Sequence, residues 1–468
     1  MNIRYFTKKL PYPIKQRLKS IYSFIPPRFL YNKVFWKTYN FLQESQWWSR
    51  EKLEEYQRKQ LSTLLTHAYE NIPYYRKVFD ERGLKPKDIQ DFYDLRKLPY
   101  LTKDIFKQHF SKFIAKNLKL KGLLRTHTSG TTGQPLQFYQ DPSENFKEWA
   151  FVCHQWHRVG YNPGDPRVEL RGDIIRGKEL IAHDSIERVL RLSPRINNKD
   201  VVTYYIDKIR QFGARFLHGY PSAIGQFASM IKHHRLSVSF KLKAVLFASE
   251  TVFPWERQVV EEIFECQVFS FYGLTEHVVM AAECEHNHYY HCIPQYGITE
   301  IETDTNEIIG TSFLNYVNPF IRYKTTDIAS EPVSLGCSEC GRQYYPVLSG
   351  IEGRIDDFVI TPEGMLISPA VLTHPFKDCK TIRNSQIIQK TLDYVKLEIV
   401  PWDDCNSEML KSELRELCQS LQHILSPEMK ISTEVVEYVK LSKSSKSKWV
   451  ISEVSQGILE RGFEETSR

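Results

Sequence analysis

No apolar run in the 468-residue sequence approaches the about 18 residues that a conventional transmembrane helix requires. Low-complexity tracts and strict internal repeats are missing as well, which sets aside tandem arrays and disordered tails. Cysteine is sparse and odd in number: nine residues in a long chain do not form a disulfide framework, and a reducing compartment fits them. Five of the nine (Cys153, Cys266, Cys379, Cys405 and Cys418) are scattered and read as small buried hydrophobes. No apolar core with a small-residue cleavage site follows Met1, so a secretory signal is not expected and the chain reads as cytoplasmic.

Acidic residues are absent from the first forty positions, which carry Arg4, Lys8, Lys9, Lys15, Arg17, Lys19, Arg28, Lys33 and Lys37. Aromatic residues such as Tyr5, Phe6, Tyr22, Phe29, Tyr31, Phe35 and Trp36 are interleaved with them. That mixture suits peripheral contact with an anionic membrane surface or a protein partner. It equally suits a cationic flank whose aromatics pack onto the main body. With 41% hydrophobic and 25% charged residues, the whole is an ordinary soluble composition, long enough for about three folding units.

Along the chain, Leu53, Tyr56, Leu61, Leu64, Leu65, Ala68 and Tyr69 recur at three- and four-residue steps and predict a helix over 45–70. Ile72-Pro73 ends it, because proline disfavours helix at the preceding residue. From about 120 to 330, short apolar runs alternate with helical patterns. Residues 244–248 and 267–271 read as strands on either side of a helix from Pro254 to Phe264. The texture changes after about 355: a hairpin over 358–367, strands at 386–389 and 394–400, a helix at 406–424 and a strand at 431–439 make a compact α+β unit. The expected organisation is a basic, aromatic helical extension (1–70), a large α/β domain (71–355) and a small α+β domain (356–468).

The sharpest local signal is Thr128-Ser129-Gly130-Thr131-Thr132-Gly133-Gln134-Pro135. Glycines allow a backbone to approach phosphate oxygens closely, and hydroxyls add donors around an anion. No Gly-Lys-Ser/Thr follows at Walker A spacing, which disfavours a P-loop nucleotidase. The loop resembles the phosphate-binding signature of the adenylate-forming (ANL) superfamily. Other segments are similar to that family's motifs in the same order: Phe271-Tyr272-Gly273-Leu274-Thr275-Glu276, Tyr323-Lys324-Thr325-Thr326-Asp327, Gly353-Arg354-Ile355-Asp356-Asp357, and Lys446-Ser447-Lys448-Trp449. Together they span most of the chain. Ile72-Pro73-Tyr74-Tyr75-Arg76, Thr102-Lys103-Asp104, His218-Gly219-Tyr220-Pro221-Ser222 and Ala248-Ser249-Glu250 resemble the phenylacetate–CoA ligase group within it. The basic N-terminus and the His-Gly-Tyr-Pro-Ser segment are similar to its branch associated with capsular polysaccharide biosynthesis.

This resemblance implies an α/β fold: a large adenylate-forming domain of parallel sheets covered by helices, with a small β-subdomain, and a small mobile α+β C-terminal domain. It implies ATP-dependent activation of a carboxylic acid as an acyl-adenylate, with pyrophosphate release. Transfer follows to a thiol, most simply that of coenzyme A; the alternative is transfer to an amine, a hydroxyl or a carrier protein during cell-surface polysaccharide synthesis. The nucleotide would lie against Thr128, Ser129, Gly130, Thr131, Thr132, Gly133, Glu250, Tyr272, Gly273, Asp327 and Arg354. In that picture Tyr272 faces adenine, Asp327 the ribose hydroxyls and Arg354 ribose or phosphate. Glu276 would hold Mg²⁺, Thr275 would meet the α-phosphate, and Lys446 would bridge the attacking carboxylate and the α-phosphate, with Lys443 and Lys448 as competitors. Asp356 matches the hinge position, and the acyl pocket is expected near His218–Pro221, Glu250 and Gly273–Val278. Three positions depart from the family pattern: Gln134 for a cation, Thr326 for glycine and Ser445 for glycine.

Cys337-Ser338-Glu339-Cys340 is a C-x₂-C knuckle, and thiolates with imidazole suit tetrahedral zinc. By resemblance to related ligases the expected set is Cys284, His291, Cys337 and Cys340, with His286, His288 and Cys292 competing. Four protein ligands would make the site closed and structural. A zinc-knuckle nucleic-acid binder would account for the basic charge but not for the ordered motifs, so no nucleic-acid partner is expected.

Overall fold

A computed structural model describes residues 27–128, 136–171, 179–194, 196, 198–330, 332–333, 336–354, 357–363, 365–439 and 448–454. Polar caps and prolines set where its first helices begin. Asn32 and Ser49 accept backbone N–H bonds at the starts of α1 (Lys33–Ser45) and α2 (Arg50–Asn71). Helix α2 therefore begins at Arg50, later than the periodicity predicts, while Pro73 stops it at the expected place by opening α3 (Pro73–Glu81). Phe35 and Leu42 of α1 are fully buried and share a core with Phe151 and Trp156 of α4 (Glu144–His157). Tyr31, Phe35 and Tyr39 of the aromatic stretch thus pack onto the body, whereas Phe29 stays exposed. Residues 1–26, with most of the basic segment, lie outside the described residues.

Strands β1 (Leu124–His127) and β2 (Gln137–Gln140) form an antiparallel hairpin. In the central sheet, β3 (Arg167–Leu170), β5 (Val189–Leu192), β6 (Phe216–Gly219), β7 (Ala244–Ala248) and β8 (Gln267–Gly273) run parallel in the spatial order β5–β3–β6–β7–β8. Helices α5 (Lys199–Phe212), α6 (Pro221–His233) and α7 (Pro254–Phe264) make the crossovers. Antiparallel strands complete the ten-stranded sheet: β4 (Ile181–Asp184) at one edge, then β9 (Met280–Glu283), β10 (Tyr290–Cys292), β15 (Val347–Leu348) and β14 (Pro332–Val333) towards the other. All five β7 residues are buried, as the continuous apolar run predicts for a central parallel strand.

The predicted strand–helix alternation stops earlier than expected. Among the described residues from 274 to 354, strands succeed one another without a helix. Here β11 (Gly297–Ile301), β12 (Glu307–Ser312), β13 (Tyr323–Ala329) and β16 (Ile351–Arg354) form a four-stranded antiparallel sheet. Burial along β13 alternates, as in a half-covered antiparallel strand. The N-terminal segment is clasped to it. Leu101 bridges to Tyr323, and the Arg322 guanidinium donates to the carbonyls of Leu98 (2.6 Å) and Arg96 (3.2 Å).

Past residue 357, β17 (Val359–Ile360) and β18 (Leu366–Ile367) form the predicted hairpin. Strands β19 (Ile382–Thr391), β20 (Tyr394–Pro401), β21 (Lys430–Val435) and β22 (Val450–Ser452) make a sheet in the order β21–β20–β19–β22, with α8 (Ser407–Leu425) packed on it. The predicted strand over 431–439 ends at Val435, where the sheet edge is exposed. This unit has its own core of Ile387, Val395, Leu397, Ile399, Leu417 and Leu421. It meets the large sheet's helices through a stacked pair, His233 of α6 on Trp402, with centroids 3.8 Å apart and planes 2° from parallel. His233 Nε2 also lies 2.9 Å from the Asp404 carboxylate. Among the described residues, no helix is long and apolar enough to cross a membrane.

Candidate active site

A cleft of about 850 Å³ opens where the C-terminal ends of the parallel strands meet β13, β16 and the C-terminal unit. Ligands are expected in such a position in an α/β sheet. Its walls include Thr128, Glu250, Tyr272, Gly273, Thr275, Glu276, Asp327 and Arg354. Tyr272 and Gly273 end β8, Thr275 and Glu276 follow in the turn, and Asp327 and Arg354 are direct partners across the β13–β16 ladder.

Asp327 is the hub. It accepts from the Tyr272 hydroxyl at 2.7 Å and from Arg354 Nε at 3.3 Å. Burial pushes its carboxyl above the usual range, against the pull of the guanidinium and the phenol. Glu276, 8% exposed, accepts from the Tyr323 hydroxyl at 3.1 Å, and burial raises its carboxyl as well. Arg354, held to Asp327, is the cation facing both acids. The arrangement is a buried, electronegative floor with one fixed guanidinium, suited to polar hydroxyls and to a hard cation carrying phosphates.

The position before Asp327 accounts for the family's usual glycine. Thr326 has φ +65°, in the left-handed region that suits glycine, and Glu307 accepts its N–H at 2.9 Å. That turn redirects the chain so that Asp327 enters the cleft.

Thr128 sits at the neck of the glycine- and hydroxyl-rich loop. Its N–H donates to Leu136 O, and its hydroxyl accepts from Leu136 N, both at 2.9 Å, so the loop ends are pinned on the β1–β2 hairpin. Ser129, Gly130, Thr131, Thr132 and Gly133 lie outside the described residues, as do Asp356 and Lys446. Lys443 lies outside them too, whereas Lys448 lines the cleft and binds the Asp357 carboxylate at 2.8 Å. Glu250 accepts from the Ser222 hydroxyl at 2.6 Å, at the start of α6.

Sequence reasoning did not single out Arg171, Trp149, Trp156 or Phe271 as site residues, yet all four line the cleft. Their signal is spatial. Trp156 lies 4.7 Å from the His218 ring, and Arg171 follows β3 directly, beside the β6 strand that carries His218. Lys103, named only as part of a motif, also lines the cleft, where burial lowers its ammonium.

The cysteine cluster forms apart from these groups. Ligand atoms of Cys284, His291, Cys337 and Cys340 all lie within 4.8 Å of one another, and all four residues are buried. Cys284 and Cys337 sulfurs are 3.9 Å apart, and Cys340 sulfur is 3.5 Å from His291 Nε2. A tetrahedron with bonds of about 2.3 Å to sulfur and about 2.0 Å to nitrogen gives separations of about 3.8 and 3.5 Å. The donor set therefore fits a zinc ion. His286, His288 and Cys292 stay outside the cluster. Arg342, beyond the knuckle, joins Glu285 (2.8 Å) to Gln46 at the end of α1 (2.9 Å).

Comparison with known proteins accords with this geometry. A family model described as the CapK C-terminal domain matches residues 359–453. Protein CapK of Staphylococcus aureus is 23% identical over 371 residues, covering 78% of this chain and 82% of that protein. Phenylacetate-coenzyme A ligase of Escherichia coli (strain K12) is 25% identical over 426 residues, covering 83% and 91% respectively. Among solved structures, a 2-hydroxyisobutyryl-CoA ligase in the postadenylation state superposes with a TM-score of 0.67 at 16% identity, over 89% of this chain and 95% of that one. The fold, the ordered motifs and these likenesses agree: the chain is similar to phenylacetate-coenzyme A ligases and to protein CapK, shares the fold of a 2-hydroxyisobutyryl-CoA ligase, and carries a match to the CapK C-terminal domain over residues 359–453.

Proposed function

We propose that the protein is an AMP-forming acid–thiol ligase, most simply an acid–CoA ligase. The observation that carries this reading is the convergence of Tyr272, Glu276, Asp327 and Arg354 in one cleft beneath the C-terminal unit. The likeness to phenylacetate-coenzyme A ligase supports it. In the first step a carboxylate oxygen of the acid attacks the α-phosphorus of ATP; the bond to the β-phosphate oxygen breaks and pyrophosphate leaves. In the second, a thiolate sulfur attacks the acyl carbon, the bond to the adenylate oxygen breaks and AMP leaves. Both steps need charge neutralisation and alignment more than covalent help from the protein.

The roles follow from residue chemistry. Asp327 offers acceptors to the ribose hydroxyls, held in place by Tyr272 and Arg354. Tyr272 presents its ring to adenine, with Gly273 and Glu250 beside it. Thr128 to Gly133 wrap the terminal phosphates, Thr275 reaches the α-phosphate, and Glu276 is the carboxylate for Mg²⁺, which when bound offsets phosphate charge. Lys446 bridges the reacting carboxylate and the α-phosphate. Residues 356–468 act as the mobile domain that carries this lysine, hinged at Asp356, on a large domain of 71–355 and an extension of 1–70. Zinc in the Cys284, His291, Cys337 and Cys340 cluster is structural, since four protein ligands leave no open position.

A second reading keeps the adenylation step and passes the acyl group to an amine, a hydroxyl or a carrier protein in cell-surface polysaccharide synthesis. The CapK match over 359–453 favours it. In either case the protein would work in the cytoplasm, with peripheral membrane contact through its basic N-terminus. The test is ATP-dependent pyrophosphate release across aryl, fatty, hydroxy and sugar acids, with hydroxylamine trapping. Release that requires one acid class supports adenylation; stimulation by added coenzyme A separates the first reading from the second. Silence with every acid while ATP binds overturns both.

A further inference from the structure

The part of the cleft beside the predicted His-Gly-Tyr-Pro-Ser segment is built around a cation. Arg171 Nη1 donates to His218 Nε2 at 2.9 Å. His218 is 2% exposed, and its Nδ1 lies 2.8 Å from Leu246 O. The imidazole therefore donates from Nδ1 to the carbonyl and accepts the guanidinium proton at Nε2. Burial, with Arg171 beside it, keeps this histidine neutral at physiological pH, its pKa down to about 3.

Register explains why the two meet. Strands β3 and β6 are parallel neighbours, with Leu170 opposite Gly219, so Arg171 leaves the end of its strand next to the strand that carries His218. A Cβ at Gly219 would meet Leu170 O at 2.0 Å, so glycine is needed for that close pairing. Glu169, two residues before Arg171, is already held by Arg167 (2.7 Å) and Arg191 (3.2 Å). Among the described residues Arg171 makes no ion pair: its neighbours are neutral His218 and Tyr220, whose side chain hydrogen-bonds it and whose ring lies 5.8 Å away. Trp149, Trp156 and Phe271 line the same region of the cleft. A guanidinium carries five donors in a planar fork that matches a carboxylate, and most of this fork is not used by His218.

We infer that Arg171, steered by His218, receives a second carboxylate, so that the acid activated here is a dicarboxylic acid. The end remote from the reacting carboxylate would lie on the guanidinium, with its carbon body against Trp156 and Phe271. This rests on the acid-activation reading and deepens it by naming the substrate class. His218 is a positioning residue in this scheme, and Arg171 a binding one.

The test is pyrophosphate exchange with matched acids of equal length, such as glutarate against valerate, adipate against hexanoate, and terephthalate against p-toluate. The expected result is a preference for the dicarboxylate of at least about tenfold in kcat/KM, the factor that one charge-assisted contact gives. Arg171→Gln should erase that preference, mainly through KM. Arg171→Lys, which keeps the charge, should retain part of it, and this guards against a mere folding defect. His218→Gln should raise KM for the dicarboxylate while leaving KM for ATP unchanged. Equal or better use of the monocarboxylates, or an unchanged ratio in Arg171→Gln, overturns the inference alone. No exchange with any acid, although ATP binds, removes the acid-activation reading and the inference with it.

Discussion

The Lys448 ammonium lies 2.8 Å from the Asp357 carboxylate, joining the strand entry at β22 to the start of the C-terminal unit. Both side chains are about four-fifths shielded from solvent. A lysine held in this way supports the local fold and is a poor candidate for the one that must reach the α-phosphate. Lys446→Ala is expected to abolish pyrophosphate exchange while leaving ATP binding nearly intact. Lys448→Ala should keep exchange within about tenfold of the parent, consistent with loss of roughly 1 kcal/mol from a partly shielded pair. The reverse pattern would transfer the catalytic role to Lys448.

The cysteine cluster predicts a stoichiometry. Protein purified without chelator should hold about one zinc per chain, and Cys337→Ser or Cys340→Ser should lose it and lower Tm. Cys292→Ser, outside the cluster, should keep the metal. Elemental analysis paired with thermal unfolding checks both, and zinc content well below one per chain in the parent protein would exclude the site.

A buried acid at the start of α4 predicts a pH dependence. Glu144 is 2% exposed, its Oε1 accepts from Asp141 N at 3.0 Å, and its Oε2 has no partner among the described residues. Burial raises its carboxyl to about 8. A carboxyl whose folded pKa lies above its unfolded value contributes stability at low pH, and that contribution fades as pH rises from the ordinary carboxylate range through about 8. Glu144→Gln removes the ionisation. Its Tm relative to the parent should climb between pH 5 and 8 and level off above, by about 1–2 °C for each kcal/mol gained in a chain of this length. A flat difference across that window would refute it.

The stack between His233 and Trp402 predicts unequal effects on the two half-reactions. It joins α6 of the large domain to β20 and its following turn in the C-terminal unit. Trp402→Ala should weaken the arrangement in which the cleft is covered and slow adenylate formation. Thioester formation from preformed adenylate should change less. Asp356→Pro is expected to do the opposite, stiffening the hinge and impairing the thioester step more. Single-turnover measurement of each step decides; equal losses in both variants would argue against a hinged unit.

Much of this was legible in the sequence where one segment carried its own signal. Ala244–Ala248 is an unbroken apolar run, and Pro254 marks the helix start after it, so both elements fall where the pattern puts them. Ile72-Pro73 and the hairpin at 359–367 are legible for the same reason. The antiparallel region from 280 to 354 was harder, because most of its short strands are buried throughout and lack the alternation that marks β13. Thr326 was visible as a departure from pattern, but only its φ of +65° shows why glycine is usual there. Cys284 and His291 were already preferred over His286, His288 and Cys292 by resemblance, and the structure shows why they meet the knuckle: Cys284 follows β9 and His291 lies on the neighbouring β10. Arg171 carried no local mark: its importance lies in a histidine 47 positions away on the neighbouring strand.

The clasp between the N-terminal segment and β13 bears on how the protein reaches its working state. Arg322 holds the carbonyls of Arg96 and Leu98 across 226 and 224 positions, and the Tyr75 hydroxyl reaches Pro319 O across 244. Loops of that span close slowly, and their contacts give nothing back until both ends have been made and folded. Asp327, on the clasped strand, would then reach its place late. Nucleotide present during refolding would capture that last arrangement by mass action and should raise the yield of competent protein.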